Sequence, residues 1–261
     1  MKTTPYINAI YSLFTYGISF TLHRVTGRPR PVAISIELTN MCNLGCPNCA
    51  TGTGILKRPG GFMDLKTAGK ISEWIINSSL SANLYFQGEP MLHPFFFEII
   101  EIFRPLHGVI STNGHFLTAE NCRRLAISGL KKIIVSYDGI TQQSYSAYRR
   151  GGNLKKVTEG ILLLSAELKK VKRAPSLELL FLYGRHNGHE LNEARKFAES
   201  VNARFTIKSM QILSMDDAEK WIPDEKRFSR YIQEGGLYRQ KKGPLRGCVR
   251  TWTTAVVTWD G

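Results

Sequence analysis

From Pro31 onward the chain alternates short runs of aliphatic and aromatic residues with longer stretches of helical periodicity, and this alternation constrains the fold more than any other feature. Strands joined by crossover helices run parallel in one sheet, so the pattern predicts an α/β protein. Six strand-like runs are present, at residues 32–38, 82–86, 108–112, 132–137, 177–183 and 204–209. The intervening segments carry apolar residues at helical spacing. Asp64 is a good N-cap for a helix burying Ala68, Ile71 and Ile75, and a short aromatic helix is expected around 95–103. A third starts near Thr118 and puts Cys122, Leu125 and Ala126 on one stripe, so Cys122 reads as a small buried hydrophobe. Residues 154–170 and 190–201 give two more amphipathic helices. No repeat of fixed period and no low-complexity tract interrupts the series.

With 261 residues, 43% of them hydrophobic and 21% charged, there is ample material for one sizeable core. The five cysteines, at 42, 46, 49, 122 and 248, are odd in number with three crowded together, which argues against a disulfide framework and fits a reducing cytoplasm. A formal charge of +14 attracts anionic partners, whether nucleic acid, acidic peptide or membrane surface. The basic residues are scattered, and the one tight run, Lys169, Lys170, Lys172 and Arg173, falls where a helix ends, so the charge reads as a generally basic surface. Residues 6–22 are rich in aromatic and aliphatic side chains, interrupted by Asn8, Ser12, Thr15, Gly17 and Ser19 and followed by Arg24, Arg28 and Arg30. They lack the pattern of a cleaved secretion signal. They are expected to form an amphipathic helix or strand packed on the domain, with a membrane-surface anchor as the alternative.

The segment Cys42-Asn-Leu-Gly-Cys46-Pro-Asn-Cys49 directly follows the first strand, at the carboxyl end where α/β barrels build their sites. Zinc sites usually use four ligands, and no second cysteine pair lies nearby. An iron–sulfur cluster held by three thiolates keeps one iron open for a small molecule. With this spacing the chain resembles the radical S-adenosylmethionine superfamily. The resemblance implies a partial (β/α)6 TIM-type barrel, a 4Fe-4S cluster on Cys42, Cys46 and Cys49, and S-adenosyl-L-methionine cleaved there to a 5′-deoxyadenosyl radical. Gly88-Glu89-Pro90, after the second strand, is similar to the motif that contacts the methionine amino group, with Gln87 where relatives have a first glycine. Ser111 and Asn113, ending the third strand, and Ser136 and Asp138, ending the fourth, resemble the segments that bind ribose and carboxylate. Arg149 matches the arginine expected to pair with the methionine carboxylate, and Arg150 is its alternative. Asn48 stands where relatives carry an aromatic residue.

The tail from Cys248 to Trp259-Asp260-Gly261 resembles the opening of a SPASM domain, which carries auxiliary clusters in enzymes that mature peptides and proteins. The further cysteines of that pattern do not follow here, so the segment is expected to be a truncated piece of a longer protein, the alternative being a lost extension with Cys248 a vestigial free thiol. The organisation implied is an N-terminal extension over 1–30, a core barrel over 31–210, a linker over 211–247 and the start of a SPASM-like domain over 248–261. The expected partners are a peptide or protein substrate and a reductant such as flavodoxin or ferredoxin, with no nucleic acid. Radical dehydrogenation of a small molecule, RNA modification and a zinc-stabilised binding protein are the rival readings. His186 and His189 read as part of an ordinary link into the next helix rather than a metal pair.

Overall fold

Short aliphatic strands that each hand over to an amphipathic helix bury themselves by lining up in parallel. In the computed structural model, which describes residues 4–27, 29–241 and 248–261, they do so in chain order. After α1 (Thr4–Leu22) come β1 (Ala33–Ile36), α2 (Leu65–Ile75), β2 (Ser81–Asn83), α3 (Phe96–Ile102), β3 (Val109–Thr112) and α4 (Ala119–Ala126). These are followed by β4 (Lys132–Ser136), α5 (Gln142–Tyr148), α6 (Leu154–Lys169), β5 (Ser176–Tyr183), α7 (Leu191–Ser200) and β6 (Arg204–Ser209). All six expected strands are present. Four helices start on side-chain caps: Asp64 accepts from the Thr67 amide at 2.8 Å, and Thr118, Thr141 and Asn153 cap α4, α5 and α6 in the same way. Cys122 is fully buried, as its place on the α4 stripe predicts.

The sheet has one strand more than expected. Beyond β6 the chain forms α8 (Ala218–Trp221), a hairpin of β7 (Tyr231–Glu234) and β8 (Leu237–Gln240), then α9 (Arg250–Thr253) and β9 (Thr254–Val257). β9 pairs in parallel with β1, Ala33 opposite Thr254 and Ile36 opposite Val257, giving the order β6-β5-β4-β3-β2-β1-β9. The final β-rich run is thus a seventh strand of the barrel sheet. The stretch read as a bridge carries α8 and the hairpin, and its residues 242–247 lie outside the described residues.

Residues opposite one another in register share a face of the sheet. Ile34, Ala82, Ile110, Ile133 and Leu177 are buried, on the face covered by helices. The other face carries Ser35 opposite Asn83, Ser111 opposite Ile134, Ser136 opposite Leu180, and Lys208 opposite Leu182. That polar inner stripe leads to the carboxyl ends of the strands. The amino ends are closed by α1, whose Asn8 amide donates to the carbonyls of Arg30 and Ser78 at 3.0 and 2.9 Å.

Candidate cofactor and cluster site

The loop between β1 and α2 carries the three cysteines and is pinned at its base. Buried Glu37 receives Arg58 Nη2 at 2.8 and 3.0 Å, Thr39 Oγ1 donates to the Gly61 carbonyl at 2.6 Å, and Asn40 holds the Pro59 carbonyl at 2.8 Å. Trp259, just past β9, lies against Gly61 so closely that any side chain there would overlap its ring. Higher in the loop the Cys49 amide donates to the Cys46 carbonyl at 3.2 Å and the Leu44 amide approaches Cys42 Sγ at 3.5 Å. Cys46 is buried in an apolar cluster with Leu44, Tyr148, Met210, Ile212 and Trp221, while Cys42 and Cys49 are half-buried.

Groups distant in the chain converge on these sulfurs. Asn113, ending β3, points Nδ2 at Cys42 Sγ from 3.9 Å and donates to Asn43 Oδ1 at 2.8 Å. Arg149, after α5, points Nη1 at Cys46 Sγ from 3.8 Å. Burial pushes the Cys42 and Cys46 thiols up, while the Leu44 amide at Cys42 and the Arg149 charge at Cys46 pull the other way. Cations and amides aimed at sulfur stabilise thiolate and tune a cluster's potential. Among the described residues no three His, Cys, Asp or Glu side chains close around a single ion.

The turn after β2 is the hub of the site. Gly88 has φ +71°, and a Cβ there would collide with the Thr39 and Met41 carbonyls, so only glycine fits. Gln87 is not at positive φ and accepts from Thr51 Oγ1 at 3.2 Å. Glu89 is fully buried, its Oε1 receiving the Thr112 hydroxyl at 2.7 Å and the Met91 amide at 3.1 Å, and its Oε2 the Asn113 amide at 2.7 Å. Burial pushes its carboxyl up to about 7 against the pull of those donors. Pro90 starts the short 3-10 turn that Glu89 caps.

Asp138, also fully buried, accepts Arg149 Nε at 2.6 Å and the Leu182 amide at 2.6 Å. Burial alone would lower Arg149, yet Asp138 and Cys46 hold its guanidinium charged. Ser111 and Ser136 lie on the inner face, on adjacent strands. Arg150 faces outward and contributes its carbonyl, which the Gly45 amide meets at 3.0 Å.

Three further residues complete the arrangement without a recognisable motif. His115 Nδ1 donates to Asn113 Oδ1 at 3.0 Å and its Nε2 accepts the Asn153 amide at 2.9 Å, so the neutral tautomer braces β3 against the Arg149 loop. Lys208 and Arg230 line, with Arg149, Gln87, Cys46 and Cys49, a cavity of about 440 Å³ beside the cysteines. Lys208 had a signal, an inward register position near the end of β6; His115 and Arg230 had none. Asn48 ties the cysteine loop to the chain after β6 by accepting the Leu213 amide at 3.1 Å. His186 and His189 do not converge: the His186 ring sits between Tyr148 and Trp221, and His189 is exposed.

This geometry matches known proteins. The family model for the radical SAM superfamily covers residues 36–198, more than half of the chain. Among curated proteins, GTP 3′,8-cyclase of Alkaliphilus oremlandii is 24% identical over 81% of this chain and 67% of its own length. Mycofactocin maturase MftC of Mycobacterium tuberculosis is 30% identical over 71% of this chain and 46% of its own. Among solved structures, Streptococcus suis SuiB bound to S-adenosylmethionine superposes with a TM-score of 0.60 at 16% identity, over 70% of this chain and 42% of SuiB. Native anSMEcpe with bound AdoMet gives 0.55 at 19%, over 73% and 58%. The chain therefore spans from under half to about two thirds of these proteins. Residues 36–198, with the cysteine loop and the strand-end motifs on them, make the chain a member of the radical SAM superfamily, whose members bind a 4Fe-4S cluster and S-adenosylmethionine.

Proposed function

We propose that this chain is the barrel of a radical S-adenosylmethionine enzyme acting on a peptide or protein substrate. The observation that carries the reading is the convergence of Asn113, at the end of β3, and Arg149, at the end of α5, on the sulfurs of Cys42 and Cys46. Cys42, Cys46 and Cys49 would hold the cluster. When reduced, a cluster in this setting supplies the electron that cleaves the sulfonium bond of S-adenosylmethionine, and a flavodoxin or ferredoxin is the kind of donor it needs. The chain's own part is to bind and orient. With both Glu89 oxygens engaged inside the protein, Gly88 and its neighbours offer backbone carbonyls to the cofactor's ammonium group, while Glu89 locks the turn to β3. Ser111, Asn113 and Ser136 give the inner face hydroxyl and amide partners for ribose. Asp138 fixes Arg149, which brings positive charge to the site for a carboxylate.

The peptide reading draws on the likeness to MftC, a maturase, and to SuiB, whose structure is also known bound to a precursor peptide. A second reading, a small anionic substrate, is favoured by the cations Lys208 and Arg230 in the cavity and by the likeness to GTP 3′,8-cyclases. After anaerobic reconstitution we expect about four irons per chain and 5′-deoxyadenosine on adding dithionite and S-adenosylmethionine. Both should vanish when Cys42, Cys46 and Cys49 become Ala. Zinc in place of iron, or iron retained by that variant, overturns the proposal. Faster 5′-deoxyadenosine release with GTP than with peptides moves the substrate to the small-molecule class.

A further inference from the structure

Helix α1 is mounted with its polar side inward. Its buried residues are Pro5, Ser12, Thr15 and Ser19, whereas Ile7, Ile10 and Phe14 are 62%, 69% and 65% exposed. At 100° per residue Tyr6, Ile7, Ile10, Leu13 and Phe14 form one continuous arc, opposite Asn8, Ser12, Thr15 and Ser19. The orientation is held by specific bonds. Besides Asn8 on the Arg30 and Ser78 carbonyls, Trp252 Nε1 donates to Thr15 Oγ1 at 3.0 Å and the Ser19 and Thr26 hydroxyls meet at 2.7 Å. Rotating the helix to bury its apolar arc would break all of them.

We propose that α1 is an interfacial helix that seats the amino-terminal end of the barrel on an anionic lipid surface, lying in the plane of the headgroups. Three observations select this occupant. The helix has 19 residues with no charged side chain and is followed by exposed Arg24 and Arg30, an apolar contact face beside basic side chains. At its end a mostly apolar cleft of about 260 Å³ is lined by Tyr16, Phe20, Val25 and Trp252 together with Ser19, His23 and Arg24, which suits an acyl chain beside a phosphate. A formal charge of +14 repels a second copy and attracts anionic headgroups. Among the described residues no helix is long and apolar enough to cross a membrane, so the contact is with one leaflet. Because α1 closes the amino ends of the strands, a seated molecule keeps its cysteine loop facing away from the lipid.

The test is co-sedimentation of the reconstituted 261-residue chain with vesicles of phosphatidylcholine and phosphatidylglycerol (3:1) or of phosphatidylcholine alone. We expect most of the protein to pellet with the anionic vesicles and little with the neutral ones. The I10E/F14E variant should lose this binding at least tenfold with an unchanged melting temperature, since both side chains are solvent-facing. The milder I10S/F14S pair repeats the comparison if the charged pair melts lower. Equal binding by these variants assigns the attraction to general charge and overturns the proposal, as does failure to bind either vesicle. A dimer that the substitutions split, with no vesicle binding, overturns it in favour of a contact between copies.

Discussion

His186 shows how a single side chain can sit in a costly place. Its ring lies 5.1 Å from Trp221 and 6.1 Å from Tyr148, and neither ring nitrogen has a partner. Burial holds it at about 4, against 6.5 for an ordinary histidine. A histidine lowered in the folded state contributes stability that is full above 6.5 and is lost as pH falls towards 4. We expect the chain to lose about 2 kcal/mol across that window, discounted for residual exposure. His186→Phe should remove that acid-side loss and melt higher at pH 5, because an aromatic ring without polar atoms suits the same slot. An unchanged slope of melting temperature against pH from 7 to 4.5 would show that this ring does not control it. The cysteine triplet and the Gly-Glu-Pro turn were legible because glycine at positive φ and thiolate spacing leave marks in the sequence. His115 was not, because bracing two loops through a neutral ring asks nothing of its neighbours in the chain.

At the scale of the element, all six core strands were readable from local composition, and α2 and α4 from their caps. α5 was not read: Gln142–Tyr148 is a seven-residue helix whose only strong signal is the Thr141 cap. The final strand was recognised as β-rich, but its partner is β1, more than 200 residues away, and parallel pairing carries no local turn to announce it. The consequence is testable at Trp259, which follows β9, packs on the main core and covers Gly61 at the base of the cysteine loop. Its indole nitrogen is buried without a partner, so its contribution is one of packing. Trp259→Ala should cost about 2 kcal/mol, less than the 3–5 of a fully buried tryptophan. It should also loosen the loop, seen as faster loss of iron on dilution into a chelator. A variant that melts lower but keeps its iron would separate sheet packing from loop support.

At the scale of the whole molecule, the parallel α/β architecture follows from the alternation of element types, which any strand-helix series must satisfy. The orientation of α1 does not: periodicity says that a helix has two unlike faces, not which one meets the protein. The Ser, Thr and Asn residues that interrupt an apolar run are the docking face here. The parallel seating of β9 beside β1 also fixes what lies next to the cysteine loop. Trp259 and Gly261 lie on the rim that holds the cysteine loop, with Gly261 beside Thr67 at the start of α2, while α1 lies at the opposite pole. A fluorescent label on residue 261 should therefore sense the cysteine loop and change its emission when S-adenosylmethionine binds. The same label on the exposed face of α1 should stay silent, and equilibrium titration of both labelled proteins distinguishes a sensor from a bystander.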